Sequence, residues 1–239
     1  MRVTSAIFTK QINDTFKNPT VTMLFILFPV IAFLFGNFLG GDGYAPVFVS
    51  IAGLAAMGIA LMPLGSIPSY VSEDIETKSL RFLVMAGVKP IQYLLGVSAF
   101  ALIMSLLSML AFGLIGELAG SDLYLFLGAS AAGLLPAIAL GALLGIASKN
   151  VQQGMTLGTI FGMLFGFVPM FAMFNDGIRR VAGFLFSQQV SNIFMYIAHG
   201  PPTYFEWSLT EAFVIIGANF VVFVALFFVV YKKKGMGLN

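Results

Sequence analysis

Long apolar stretches alternate with short polar connections along this chain of 239 residues. Each stretch holds about 20 residues or more, the length that an α-helix needs to cross a hydrocarbon layer of roughly 30 Å. None has the polar face that a helix on the surface of a soluble domain would show. The pattern predicts an all-α membrane protein with one transmembrane domain over 1–239. Its six transmembrane helices fall at about residues 21–39, 46–68, 91–116, 123–147, 154–174 and 212–231.

The segment before the first span, residues 1–18, is amphipathic. Phe8, Ile12 and Phe16 recur on one side of a helix, and lysines fall on the other. This arrangement is typical of a helix that lies in the membrane interface. A disordered basic tail is the alternative.

The basic residues segregate to one side of the predicted membrane. With a cytoplasmic N-terminus, ten of the twelve Lys and Arg residues are inside: Arg2, Lys10, Lys17, Lys78, Arg81, Lys89, Lys149, Lys232, Lys233 and Lys234. Such a bias sets the orientation of helical membrane proteins. It predicts that both termini are cytoplasmic. The remaining two, Arg179 and Arg180, form a charged cluster with Asp176 at the outer mouth, which is either a solvated loop or a gate.

Two connections carry predicted helices. On the cytoplasmic side, residues 72–87 are predicted to form one helix, with Ser72 as its N-cap and Asp74 and Lys78 as an i,i+4 pair. On the outer side, residues 176–202 are apolar enough to suggest a seventh span. Polar residues interrupt this segment, and a seventh crossing would put the C-terminal lysines outside. We therefore predict one or two short helices that re-enter the outer leaflet.

The composition excludes several kinds of chemistry. The chain has no cysteine and one histidine, so we predict no disulfide, no thiol chemistry and no metal site. Acidic and basic residues are missing from the middle of every predicted span, which argues against ion-coupled carriers and intramembrane enzymes. A GxxxxGK[ST] phosphate loop is also missing. We predict no catalytic residue and no cofactor in this chain, so that another subunit supplies the energy.

Glycine recurs every fourth residue in the fifth predicted span, at Gly154, Gly158, Gly162 and Gly166. This spacing lines one face of a helix and lets a partner helix approach closely. The partner is a helix of the same chain or of a second copy. The sequence therefore predicts a dimer seam or a transport path beside this glycine face, and leaves internal packing open.

The stretch SEDIETKSLRFLVMAGVKPIQYLLG between the second and third spans is similar to that of bacterial type-2 ABC exporter permeases. The matching positions are Glu73, Thr77, Leu80, Leu83 and the span entry at 90–96. The order of interfacial helix, six spans, cytoplasmic helix and outer re-entrant element also resembles this family. The chain departs from the family pattern where Met85 and the two residues after it replace a proline.

The resemblance implies a coupling helix that docks on a separate ATPase subunit. The implied coupling residues are Glu73, Asp74, Glu76, Thr77, Lys78, Leu80, Arg81 and Phe82. It further implies a homodimer with two ATPase copies, which bind ATP and Mg²⁺, in the lipid of a bacterial cytoplasmic membrane. Spans one, two and five would surround the transport path, and no nucleic acid would be involved.

The expected function is export of an amphipathic or hydrophobic substrate, such as a peptide, a lipid or a drug, by a subunit that is not itself an enzyme. The small size of the chain favours peptides. A channel that works without ATP is the first alternative, although the spans lack the polar rings that line a pore. A structural or immunity-type membrane protein is the second, and the sequence leaves it open.

Overall fold

The structure, a computed structural model, describes residues 2–17, 19–39, 47–199 and 208–234. Every regular element in these ranges is an α-helix, as predicted. The ten helices are α1 (Arg2–Lys17), α2 (Pro19–Leu39), α3 (Val47–Glu76), α4 (Ser79–Met85), α5 (Pro90–Ile115), α6 (Gly120–Ala147), α7 (Val151–Ala172), α8 (Asp176–Ala182), α9 (Phe186–His199) and α10 (Leu209–Lys234).

Five stretches of the described residues are long and apolar enough to cross a membrane: Ile51–Glu76, Ile91–Ile115, Gly120–Ala147, Val151–Ala172 and Leu209–Lys233. They correspond to the second to sixth predicted spans and identify the chain as a helical membrane protein. The first predicted span lies in α2, where the apolar part, Thr22–Phe38, is shorter. A count of six spans stays a prediction.

The central helix is α3, which packs against α2, α5, α6, α7 and α9. Its first half is rich in alanine and glycine, and Ala52, Ala55 and Ala56 are completely buried. Small side chains let neighbouring helices approach a helix from several sides. By contrast, α10 packs along α6 and α9 and leaves most of its surface exposed.

The N-terminal segment forms a helix that packs against α5. Its buried face holds Ile7, Gln11 and Thr15, and the ring of Phe8 meets Phe100 edge-on, with 5.9 Å between the ring centroids. The predicted helix is therefore present, and it is attached to the helical core of the same chain. Its place in the membrane interface stays a prediction.

The connection after α7, predicted to lie outside, forms two short helices, α8 and α9, in agreement with the prediction. Its side of the membrane stays a prediction. Helix α9 is enclosed by α3, α6, α7 and α10, and its residues Phe186, Val190 and Phe194 are buried. The end of the predicted re-entrant region, residues 200–202, lies outside the described residues. Re-entry into the outer leaflet stays a prediction.

The predicted helix over 72–87 is wrong in its boundaries. Helix α3 continues to Glu76, the chain turns at Thr77 and Lys78, and α4 begins at Ser79. Ser72 does not cap a helix, because it lies inside α3, where its hydroxyl donates to the carbonyl of Pro68 at 2.6 Å. Lys78 has a φ of 60°, a conformation that ends a helix.

Cysteines placed at the two ends of α6 should react from opposite sides of the membrane. Asp122 lies in the first turn of this helix and Lys149 two residues after its end, and both are exposed in the structure. Because the chain has no cysteine of its own, single substitutions report cleanly. We expect Asp122→Cys to react with an impermeant maleimide in intact cells, and Lys149→Cys to react only after permeabilisation. The opposite pattern would refute a cytoplasmic N-terminus, and reaction of both from outside would refute a spanning α6.

Candidate functional site

The predicted coupling residues, within 73–82, occupy the end of α3, the turn after it and the first turn of α4. Residues 73–82 are called the coupling segment below, and their coupling role stays a prediction. In the turn, the Thr77 hydroxyl donates to the carbonyl of Glu73 at 2.8 Å and lies 2.6 Å from the Ser79 hydroxyl. These local hydrogen bonds hold the chain as it leaves α3 and enters α4. The turn therefore fixes the position of α4 relative to the central helix.

Helix α4 has one buried side and one exposed side. Leu80 is buried in the core, whereas Phe82 and Met85 are 66% and 63% exposed. The side chain of Arg81 lies outside the described part of the structure. Phe82 and Met85, three residues apart on α4, together form an exposed apolar cluster just beyond the end of α3. This cluster is called the apolar knob below.

Asp74 connects three helices. Its carboxylate is buried, forms an ion pair with Lys10 of α1, and accepts a hydrogen bond of 2.6 Å from the Tyr93 hydroxyl of α5. The predicted partner, Lys78, lies instead in the exposed turn. Sequence spacing does not reveal Lys10 and Tyr93 as partners, since neither lies within a helical turn of Asp74. Asp74 is thus a buried junction within the coupling segment, and its predicted contact with an ATPase stays a prediction.

A second polar contact lies one turn away on α3. The hydroxyls of Thr15 and Tyr70 are hydrogen-bonded in a buried position, and the Tyr70 ring meets Phe100 edge-on, with 6.1 Å between the ring centroids. Helix α1 is therefore attached to α3 at two levels. Movement of the end of α3 would displace α1 with it.

Glu76 links the last turn of α3 to the first turn of α7. Its carboxylate accepts a hydrogen bond of 2.7 Å from the backbone N–H of Val151. Asn150 caps the same helix, with its side chain accepting from the N–H of Gln153 at 2.8 Å. A negative charge at a helix N-terminus is favourable because the first N–H groups lack partners within the helix. An open cleft lies here, lined by Glu76, Asn150, Val151, Gln152 and Met155.

The glycine face of α7 packs against α3 of the same chain. A Cβ atom on Gly158 would lie closer than 3.0 Å to the carbonyl oxygen of Leu64, and one on Gly154 would lie 2.8 Å from that of Pro68. Added Cβ atoms on Gly162 and Gly166 would contact Leu61 at 3.1 Å and 3.4 Å. The close packing that the sequence predicts is therefore internal to the chain. In this structure α3 covers the face that the sequence also offered as a dimer seam, and a role beside a transport path stays a prediction.

The charged cluster predicted at the outer mouth lies on α8. Asp176 and Arg179 form an ion pair one turn apart, and Arg180 is exposed. The side chain of Asn175 caps the helix by accepting from the N–H of Ile178 at 3.1 Å. Exposed ion pairs contribute little to stability. The cluster is separated from the coupling segment by α7, whose 22 residues span about 33 Å.

The structure thus brings together two predicted sets of residues. Gly154, the first residue of the glycine face, lies against Ser72 of α3, and Val151, at the start of α7, donates to Glu76. The predicted coupling residues and the glycine face therefore share one contact region. The charged cluster of α8 belongs to the opposite end of α7. No curated protein matches the chain. A sequence model described as ABC-2 family transporter protein matches residues 3–230, nearly the whole chain, and the chain therefore belongs to the ABC-2 transporter family.

Proposed function

We propose that this chain is the transmembrane subunit of an ABC exporter, which acts as a homodimer with two copies of a separate ATPase. The observation that carries this proposal is the apolar knob of Phe82 and Met85 at the end of the central helix. Membership of the ABC-2 family supplies the class of partner, an ABC ATPase subunit.

The surroundings of the knob suit a protein partner. Covering exposed apolar side chains with a partner stabilises the complex by about 25 cal/mol per Å² of apolar surface removed from water. Glu73 and Lys78 are exposed beside the knob and would provide a polar rim. An apolar centre with a polar rim is the usual composition of a protein interface. The knob also sits where force on it would act along α3.

In this proposal ATP and Mg²⁺ bind to the partner, and this chain provides the path. Helices α2 and α7 both pack against α3, and together these three would border the path, as the family resemblance implies. Large apolar side chains are exposed on α2, including Phe33 and Phe38, and on α7, including Met163 and Phe171. These surfaces would face lipid or the second copy. An amphipathic or hydrophobic substrate fits such a path, and a peptide, a lipid and a drug all meet this description.

The proposed location is a bacterial cytoplasmic membrane, with both termini in the cytoplasm. This orientation places α4, Glu76 and Lys149 on the side where ATP is available. It follows from the distribution of the basic residues. Membrane lipid and the ATPase are the expected partners, and nucleic acid is not.

Co-purification tests the proposed function. The chain, tagged and expressed at its natural level in its own host, is extracted in mild detergent and isolated. We expect an ATP-hydrolysing subunit to accompany it at one copy per chain, identified by mass spectrometry and by ATPase activity. A preparation that contains the chain without any ATPase would refute the proposal.

Replacing the aromatic side chain of the knob should release the ATPase. We expect Phe82→Ser to lower the amount of bound ATPase about tenfold or more, since the loss of a central aromatic anchor costs about 2 kcal/mol or more. Phe184→Ser is the matched control, because Phe184 is similarly exposed, at 63%, and lies beyond α8 at the other end of α7. Equal retention of ATPase by both variants would show that the knob is not the docking site.

A further inference from the structure

Pro68 interrupts the hydrogen bonding of α3. Proline has no backbone N–H, so the carbonyl of Leu64, four residues earlier, loses its usual donor within the helix. Helices bend most easily at such positions. The part of α3 that follows, residues 68–76, is the part that leads into the coupling segment.

Helix α7 follows this weakened part of α3 closely. Gly158 lies against the Leu64 carbonyl and Gly154 against the Pro68 carbonyl, both too close for a Cβ atom. At the end of α3, the Glu76 carboxylate accepts a hydrogen bond from the N–H of Val151. The two antiparallel helices are therefore in contact before the Pro68 break at Leu64, at the break itself, and beyond it at Glu76.

The contact with α6 on another side of α3 is different. Gly145 and Gly141 of α6 lie against the side chains of Val71 and Ile67 and also close to backbone atoms of Pro68 and Pro63, without a charged group like Glu76 among these contacts. Contacts between apolar groups have no preferred direction, unlike the hydrogen bond of Glu76. They can therefore persist during a small displacement of α3.

We propose that Glu76 is a positioning residue, which makes residues 68–76 of α3 and the first turns of α7 move together. These two parts form one arm. The arm moves when the ATPase displaces the coupling segment and α3 bends at Pro68. This inference rests on the proposed function. It assigns to Glu76 a task inside the chain, which is to pass the displacement of α3 to α7 through the Val151 N–H. Phe82 and Met85 would contact the ATPase, and Glu76 would transmit the resulting displacement of α3 to α7.

Distance measurements between spin labels test the arm. Thr77 and Gln152 are exposed on its two halves, and Lys233 at the end of α10 is an exposed reference outside it. Two label pairs, Thr77→Cys with Lys233→Cys and Gln152→Cys with Lys233→Cys, are compared in the chain–ATPase complex, with and without ATP, Mg²⁺ and vanadate. Labelled chain is diluted with unlabelled chain, so that distances within one copy are measured.

In the otherwise unchanged chain, we expect both distances to shift when nucleotide is trapped. In Glu76→Ala, the Thr77 distance should still shift, whereas the shift of the Gln152 distance should fall by at least half. Glu76→Gln keeps an oxygen that can accept from the Val151 N–H, and it should restore the shift. Asp122→Ala, which removes an exposed carboxylate from another helix, should behave like the unchanged chain.

Several outcomes would overturn the inference. A full Gln152 shift in Glu76→Ala would mean that α7 moves without the Glu76 link. A Thr77 shift without a Gln152 shift in the unchanged chain would mean that the two halves move separately, while the proposed function would stand. Failure of Glu76→Gln to restore the shift would remove the hydrogen bond as the cause. If no ATPase binds, or neither distance shifts, the proposed function and the inference fall together.

Discussion

Leucine at Gly158 should prevent the chain from folding into a stable protein. A Cβ atom at this position would lie closer than 3.0 Å to the backbone oxygen of Leu64, and backbone atoms cannot move aside as a flexible side chain can. Overpacking of a core typically costs 1–3 kcal/mol, and we expect about 3 kcal/mol or more, because α7 must separate from α3 along its length. The measurement is the yield of monodisperse protein in detergent, together with its thermal unfolding midpoint.

The matched control for this variant is Gly217→Leu on α10. Nothing lies within 4 Å of the position that a Cβ atom on Gly217 would occupy. Glycine in a helix interior costs about 1 kcal/mol relative to alanine, so this control should be as stable as the unchanged chain or slightly more stable. Equal yields and midpoints for Gly158→Leu and Gly217→Leu would contradict the close packing of α3 on α7.

Removal of the Asp74 carboxylate should detach α1 from the core. Asp74→Ala leaves the buried Tyr93 hydroxyl without its acceptor, which costs about 1–3 kcal/mol. The lost ion pair adds less, since the Lys10 side chain is partly exposed to solvent. We expect lower thermal stability and faster amide hydrogen exchange in α1, measured by mass spectrometry.

A double substitution separates the two causes. Asp74→Ala combined with Tyr93→Phe removes the unpaired hydroxyl, so it should recover part of the lost stability, while hydrogen exchange in α1 should stay fast. Such a cycle measures the coupling between two residues in contact. If Asp74→Ala has the stability and the α1 exchange of the unchanged chain, the buried carboxylate does not hold α1.

The sequence predicts the long helices well, because an apolar stretch of about 20 residues has one stable form in a bilayer. The two short helices after α7 are also predicted correctly from their polar interruptions. The burial of the polar residues of α9 is not predicted. Gln188 and Gln189 are buried among neighbouring helices, and Gln189 donates to the carbonyl of Gly183 at 2.5 Å. Sequence alone does not say which polar residues are enclosed by the rest of the chain.

The candidate site is predicted in its residues and less well in its contacts. Serine favours a helix start, so the sequence predicts Ser72 as an N-cap, but its hydroxyl can equally bond to the carbonyl four residues earlier in a continuous helix. The partner of Asp74 lies 64 residues away on α1, whereas the pattern of i,i+4 pairs predicts Lys78. Local spacing finds local pairs and misses those made by helix packing.

The glycine face is an intermediate case. Spacing every fourth residue correctly predicts a close helix contact, yet it does not identify the partner. In the structure the partner is α3, and Gly158 lies against the Leu64 carbonyl, which lacks its usual helical donor because Pro68 has no N–H. Pro68 and the glycines are each visible in the sequence. That the Leu64 carbonyl and Gly158 face each other depends on the antiparallel register of α3 and α7, which the sequence does not show.

The contrast between α10 and α3 has a consequence for biogenesis. The most apolar part of α10 has a mean hydropathy of 2.9 and is only 11% buried, while that of α3 has 1.7 and is 72% buried. Helix α10 can therefore partition into lipid by itself. Helix α3 holds buried Ser66, Ser69 and Ser72, and it is synthesised before α6 and α7, which cover it. Until those helices emerge from the ribosome, α3 depends on the insertion machinery for shelter from lipid.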